Sequence, residues 1–138
     1  MKKIKIVLFL LFFGQTTFGF CQTQAELNRT SYQMFKEAEA EMNEVYEEIL
    51  NSYAEDSEFI SNLKKAQQFW MEFRSLELKV VFPDREAGYY GSIQPLCVNQ
   101  HMTALTQERT KRLRIWLIGT SEGDICSGTI KWTSKDPD

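Results

Sequence analysis

Hydrophobic residues recur at spacings of three and four along most of the chain, which is the pattern of amphipathic helices. The first such stretch runs from about Gln24 to Ser52. Its repeating apolar positions are Leu27, Met34, Phe35, Ala38, Met42, Val45, Tyr46, Ile49 and Leu50. Glutamates occupy most of the opposite side, where we expect them to be solvated. A turn-rich segment follows, in which Asp56 or Ser57 is placed to cap a second helix.

The second helix carries its apolar stripe over residues 59–76 and fades before Pro83. A loop rich in glycine separates it from a third helix, which Ser92 is placed to cap. Gly119 suits the end of that third helix. The sequence therefore predicts an all-α fold: a small antiparallel bundle of three main helices with an extended C-terminal tail.

The N-terminus is organised like a secretory signal peptide. Three lysines lie within the first five residues, and the apolar run over residues 6–13 is too short to span a bilayer. Cleavage after Cys21 would leave small residues at positions −3 and −1. The alternative is a lipoprotein acylated at Cys21, although the bulky Phe20 precedes it where a small residue is preferred. We therefore expect an exported protein, periplasmic or secreted.

The sequence predicts three segments: a signal peptide over residues 1–21, a helical domain over 22–118 and a tail over 119–138. The mature chain, residues 22–138, keeps 13 basic and 19 acidic side chains, so its formal net charge falls from −3 to −6. An acidic exported domain is a poor binder of nucleic acid and a reasonable partner for a cationic protein. The alternative is that the charge serves solubility alone. We expect no membrane span after cleavage.

Sequence motifs for catalysis are absent. The chain has no glycine-rich phosphate loop, no Gly-x-Ser-x-Gly elbow and no His-Glu-x-x-His. Cys97 and His101 lie four residues apart, but two ligands are too few for a structural zinc site. Acids such as Glu72 or Glu77 leave an uncharacterised hydrolase as an alternative. We expect a binding protein without enzyme activity, cofactor or metal.

Polar residues on apolar helix faces are the main anomaly. Gln67, Trp70 and Arg74 share one face of the second helix, at i, i+3 and i+7. A buried glutamine and a buried arginine are costly unless partners satisfy them. Comparable positions on the first and third helices are held by Asn43, Tyr46, Thr106 and Arg109. The pattern indicates a polar network inside the bundle, which we favour, or a surface that contacts a ligand directly.

The order of these motifs resembles the lysozyme inhibitor LprI N-terminal-like family of exported bacterial domains. The resemblance covers roughly residues 25–117 and rests on Glu41-Met42-Asn43-x-x-Tyr46, Ala66-Gln67-x-x-Trp70-x-x-Phe73-Arg74, Gly91-Ser92, Cys97 and Thr106-x-x-Arg109-x-x-x-Leu113. It implies inhibition of lysozyme or a related cell-wall hydrolase, with a cationic enzyme as the partner. The alternative is an envelope interaction or scaffold module with another partner.

Two cysteines remain in the mature chain, Cys97 and Cys126. An even number in an exported protein favours a disulfide. The two earlier cysteines common in the family are absent, so the resemblance leaves Cys126 as the partner of Cys97. Because the third helix carries the chain about 30 Å beyond Cys97, the bridge requires a tail that returns nearly extended along that helix.

The glycine-rich loop is the expected contact with a partner. Arg85, Tyr89, Tyr90 and Ser92 combine rigid aromatic rings with small and polar groups, a composition suited to an interface. The alternative is that both tyrosines simply cover the end of the bundle.

Overall fold

The computed structural model describes residues 23–133. Helix α1 spans Gln24–Ser52, α2 spans Ser57–Val81 and α3 spans Gln94–Ile118, so the predicted all-α fold is confirmed. The predicted signal peptide, with Cys21, lies outside the described residues. Within the described part of the chain, none of the helices has the length and apolar character that crossing a membrane requires.

Side-chain caps explain where α1 and α2 begin. At α1 the Thr23 hydroxyl accepts the backbone N–H of Glu26, and the Glu26 carboxylate accepts the backbone N–H of Thr23. This reciprocal capping box satisfies two N–H groups that a helix start otherwise leaves free. At α2 the Asp56 carboxylate accepts the N–H of Phe59, 2.9 Å away. Asp56 is thus the cap that the sequence predicted as one of two candidates.

Helix α3 begins differently, and the prediction that Ser92 caps it is wrong. The N-cap is Ile93, which makes no side-chain capping bond, and Pro95 lies in the first turn. Pro95 reduces the need for a cap because it has no N–H to satisfy. Ser92 lies one residue before the cap, where its carbonyl accepts a hydrogen bond from the Asn28 side chain at 3.1 Å.

Helices α1 and α3 run side by side in the same direction, and α2 runs antiparallel to both. The Asn28–Ser92 hydrogen bond joins the N-terminal ends of α1 and α3. At the other end, the Tyr53 hydroxyl donates to the carbonyl of Trp116. The closest pair of helices is therefore the parallel pair that is not consecutive in sequence.

Small buried side chains allow this close approach. Helix α1 buries Ser31 and Ala38 along part of its length, while α3 buries Thr103, Thr106 and Thr110. The distance between two packed helices depends on the side chains at their contact, so short side chains bring the backbones together. Each threonine hydroxyl donates to the carbonyl four residues earlier, so burial leaves none of these donors unpaired.

The hydrophobic core lies where α1 ends and α2 begins. Its buried members are Met42, Val45, Ile49, Tyr53, Phe59, Leu63 and Leu113. Among them, Leu113 is the one contributed by α3. Tyr53 and Phe59 stack at 4.4 Å between ring centroids, which closes the core at the α1–α2 turn.

The tail folds across this same end of the bundle. Strand β1, Thr120–Ser121, pairs in parallel with strand β2, Trp132–Thr133. The Tyr53 hydroxyl accepts the backbone N–H of Lys131, which ties the returning chain to α1. The tail therefore closes on itself beside the C-terminal end of α3.

The predicted disulfide between Cys97 and Cys126 is wrong, since both thiols are free. Cys97 lies in the first turn of α3, and Cys126 lies in a short 3-10 turn, Ile125–Ser127, within the folded tail. Nearly the full length of α3, about 30 Å, lies between Cys97 and the end of the helix from which the tail continues to Cys126. Hydrogen bonds hold the tail near Tyr53, so it does not extend back toward Cys97.

Gly119→Ala is expected to detach the tail. Gly119 has a φ of +83°, and an added Cβ would lie 2.4 Å from Thr133 Cγ2 and 2.8 Å from the carbonyl oxygen of Lys131. Backbone strain and the steric clash together should destabilise tail docking by about 2 kcal/mol. Hydrogen exchange at the Thr120 amide, which bonds the Lys131 carbonyl, should become faster while the helices stay protected.

Gly123→Ala is the matched control. Gly123 also has a positive φ, +90°, but its added Cβ would meet open space. This variant should show the effect of backbone strain alone. Equal exchange rates at Thr120 in the two variants would contradict the close packing of Gly119 against the returning strand.

Candidate functional site

Arg74 connects all three helices. Its Nη1 donates to Thr106 Oγ1 on α3 and its Nη2 donates to Glu39 Oε1 on α1, each at 2.9 Å. The guanidinium also lies over the rings of Phe35 and Trp70, at 5.4 and 5.1 Å from their centroids. The residue is 5% exposed, and a charge this buried is tolerated because it is paired and hydrogen-bonded.

Gln67 extends the network along α2. Its Oε1 accepts a hydrogen bond from Arg109 Nε at 2.9 Å, and its Nε2 donates to the sulfur of Met42 at 3.5 Å. The Arg109 guanidinium lies 5.8 Å from the Trp70 ring centroid. Trp70 therefore contacts two guanidinium groups, those of Arg74 and Arg109, which favours a fixed position for its ring.

Glu39 and Arg74 form the ion pair of this network. Burial by itself raises the pKa of Glu39, but hydrogen bonds from Lys36 and Arg74 outweigh it, and the pKa lies below its usual value. Burial, with the charge of Arg112, lowers the pKa of Arg109. The Arg74–Glu39 salt bridge and the Arg109–Gln67 hydrogen bond link the helices, and this arrangement suits structural support better than acid–base chemistry.

Tyr46 and Asn43 differ in their placement. Tyr46 is half-buried and packs against the hydrophobic core, and burial, with the charge of Glu47, raises the pKa of its phenol. Asn43 is exposed, so the prediction that it belongs to the polar core is wrong. Met42 takes the inward position, and Asn43 lies about 100° further round the helix, where α1 faces solvent.

The loop between α2 and α3 is held by aromatic contacts. The Tyr90 hydroxyl donates to the carbonyl of Pro83 at 2.8 Å, and its ring lies edge-on to Phe82. Tyr89 contacts Tyr90 edge-on at 4.9 Å, and the Arg85 guanidinium lies 5.8 Å from the Tyr89 ring. Tyr90 therefore closes the loop on itself, while Tyr89 remains exposed beside it. Of the two tyrosines, Tyr90 packs against the loop and Tyr89 is the one left exposed.

Acidic side chains line two surface grooves. A groove of about 510 Å³ beside the start of α2 contains Asp56 and Glu58, and Asp56 is already the α2 cap. A second groove, between α1 and α3, contains three glutamates, of which Glu41 forms an ion pair with Arg114. Within residues 23–133, no cluster of three or more histidine, cysteine, aspartate or glutamate side chains is arranged to hold a metal ion.

The sequence model of the lysozyme inhibitor LprI family matches residues 21–113. This chain belongs to the LprI family. The match confirms the family predicted from the ordered motifs, and it includes the Arg74 network and the aromatic loop. Searches found no match among curated proteins and none among solved structures. The name of the family denotes inhibition of lysozyme.

The LprI match ends at Leu113, the α3 member of the hydrophobic core. The folded tail therefore lies outside the matched region. Two members of the network were not assigned to it from the sequence: Phe35, which was placed on the apolar stripe of the first helix, and Glu39. They lie seven and three residues before Met42, on or beside the inward stripe of α1. A glutamate next to an apolar stripe was the available signal for a partner of the buried arginine.

Proposed function

We propose that this protein is an exported inhibitor of lysozyme or a related cell-wall hydrolase, and that it acts by binding rather than by catalysis. The observation that carries the proposal is its membership of the LprI family over residues 21–113. The formal charge of −6 on residues 22–138 supports it, because complementary charge accelerates encounter with a cationic enzyme. Export rests on the signal-like residues 1–21.

The loop over residues 85–92 is our proposed contact surface. Tyr89 and Arg85 are exposed and lie together, and Tyr90, which bonds the Pro83 carbonyl, contacts the Tyr89 ring. A loop already held in one conformation loses little entropy on binding. Exposed tyrosine and arginine are also the residue types that most often dominate binding energy. This surface therefore suits insertion into, or coverage of, an enzyme cleft.

A direct measurement tests the proposal. The mature chain, residues 22–138, should bind lysozyme at micromolar concentration and slow its hydrolysis of cell walls. Binding should weaken as salt rises, because screening removes the long-range attraction between acidic inhibitor and cationic enzyme. If neither binding nor inhibition occurs at micromolar concentration, with lysozymes of more than one structural type, the proposed function is wrong.

Tyr89→Ala is expected to weaken lysozyme binding about 30-fold, corresponding to a loss of about 2 kcal/mol for a central aromatic contact. Isothermal titration calorimetry would measure the change. The matched control is Tyr32→Ala on α1, since Tyr32 is 54% exposed against 63% for Tyr89. Both variants should keep the melting temperature of the parent. Equal affinities for the two variants would contradict the placement of the contact in the loop.

A further inference from the structure

Helix α2 carries a second apolar face that neither α1 nor α3, the other two helices of residues 23–133, covers. Phe69, Phe73, Leu76 and Val80 are 67%, 51%, 61% and 76% exposed. We call these four residues the outer stripe. The residues that α2 buries in the bundle are different ones: Phe59, Leu63, Gln67 and Arg74.

The spacing of the outer stripe is that of a coiled-coil seam. Successive members are four, three and four residues apart, which corresponds to alternating a and d positions of a heptad. The stripe extends about 17 Å along the helix. A contiguous apolar patch of this length on the surface of a protein marks an interaction surface. The heptad spacing indicates that the partner surface is another helix.

We propose that the outer stripe is the interface of a homodimer, in which α2 packs antiparallel against α2 of a second copy. In the register that uses all four residues, Phe73 faces the partner's Leu76 and Phe69 faces the partner's Val80. Two-fold symmetry repeats each contact, so the same patch supplies both sides of the interface. Every large apolar side chain of the stripe then has an apolar partner.

Charges beside the stripe select this arrangement. Glu72 and Lys79 hold the flanking g positions of the same heptads, on the side of α2 away from the bundle. In the proposed register Glu72 lies opposite the partner's Lys79, twice by symmetry. A shift by one heptad would place Glu72 against the partner's Glu72. A parallel pairing would place Glu72 against the partner's Glu77.

Sedimentation equilibrium of the mature chain tests the dimer. An interface of this size belongs to the weak class, so we expect dimerisation at roughly micromolar concentrations or above. Phe73→Glu should leave a monomer with unchanged helical circular dichroism. Ile125→Glu is the control, because Ile125 is an exposed apolar residue in the tail, and it should dimerise like the parent. A parent chain that stays monomeric at millimolar concentration would overturn the proposal.

Charge reversal tests direction and register. Glu72→Lys and Lys79→Glu should each weaken dimerisation about 10-fold, since each replaces two attractive pairs by two repulsive ones. The double variant should restore the parent affinity, because the pairs reform with exchanged signs. Stronger dimerisation in Glu72→Lys would indicate a parallel pairing and overturn the antiparallel one. If the parent chain is a monomer and Phe73→Glu abolishes its binding to lysozyme, the outer stripe contacts the enzyme instead. That result would overturn the dimer.

Discussion

Arg74→Ala is expected to lower the free energy of unfolding by about 3 kcal/mol. The truncation removes one of the two cations that pair with Glu39, leaving the exposed Lys36, and it removes the N–H group that donates to Thr106. It also leaves the Trp70 ring without one of its two guanidinium contacts. Because Glu39 keeps some contact with solvent, the loss of unfolding free energy should lie at the lower end of the range for a broken buried ion pair. Chemical denaturation followed by circular dichroism would measure it.

The exposed ion pair between Arg114 and Glu41 supplies the control. Both side chains are well exposed, so Arg114→Ala should change stability by no more than about 0.5 kcal/mol. Lysozyme affinity of the Arg74→Ala variant, measured well below its melting temperature, should equal that of the parent. Lost affinity in a variant of unchanged stability would move the network from the interior of the bundle to the binding surface.

The helices were predictable because their signals are local. Apolar spacing and the capping residue Asp56 place α2, and the glycine at position 119 ends α3. The error at Ser92 has the same local origin: serine is a good cap in general, but here the chain enters α3 one residue later, at Ile93. A residue's preference for a cap does not determine the backbone angle at which a loop reaches a helix.

Relations between helices were predictable only in part. A short turn makes α1 and α2 antiparallel, but the closest contact joins α1 to α3, which lie far apart in sequence. That contact depends on small residues such as Thr103 and Thr106, which resemble ordinary polar positions in a sequence pattern. The disulfide prediction failed for a related reason, since the path of the tail is set by its bond to Tyr53 and not by the cysteine count.

At the candidate site, too, the sequence predicted local features but not tertiary contacts. Composition drew attention to the loop, but sequence could not distinguish Tyr89 from Tyr90. Their difference depends on a single hydrogen bond, from the Tyr90 hydroxyl to the Pro83 carbonyl. The outer stripe of α2 was absorbed into the apolar pattern of its helix, because Phe73 and Leu76 look like core residues until the position of α3 shows that they are uncovered.

Leu113→Ala is expected to lower the free energy of unfolding by about 3–4 kcal/mol, the range for a fully buried leucine whose removal leaves a cavity. Leu113 is completely buried and packs in the core cluster with residues such as Ile49 and Leu63. The other residues that α3 buries are threonines, whose hydroxyls bond to their own helix. Leu113 is therefore the one fully buried apolar residue of α3, and the partly buried Trp116 and Leu117 add apolar contacts to the same core.

Ile118→Ala, at an exposed position near the end of α3, should cost less than about 0.5 kcal/mol in the same denaturation experiment. The comparison separates two ways of holding α3 in place. If Leu113→Ala also costs less than about 1 kcal/mol, close backbone packing through the threonines, together with Arg74, must hold the helix. A large loss at Leu113 would show instead that the threonines permit the approach of α1 and α3, while apolar burial at Leu113 supplies a large share of its driving force.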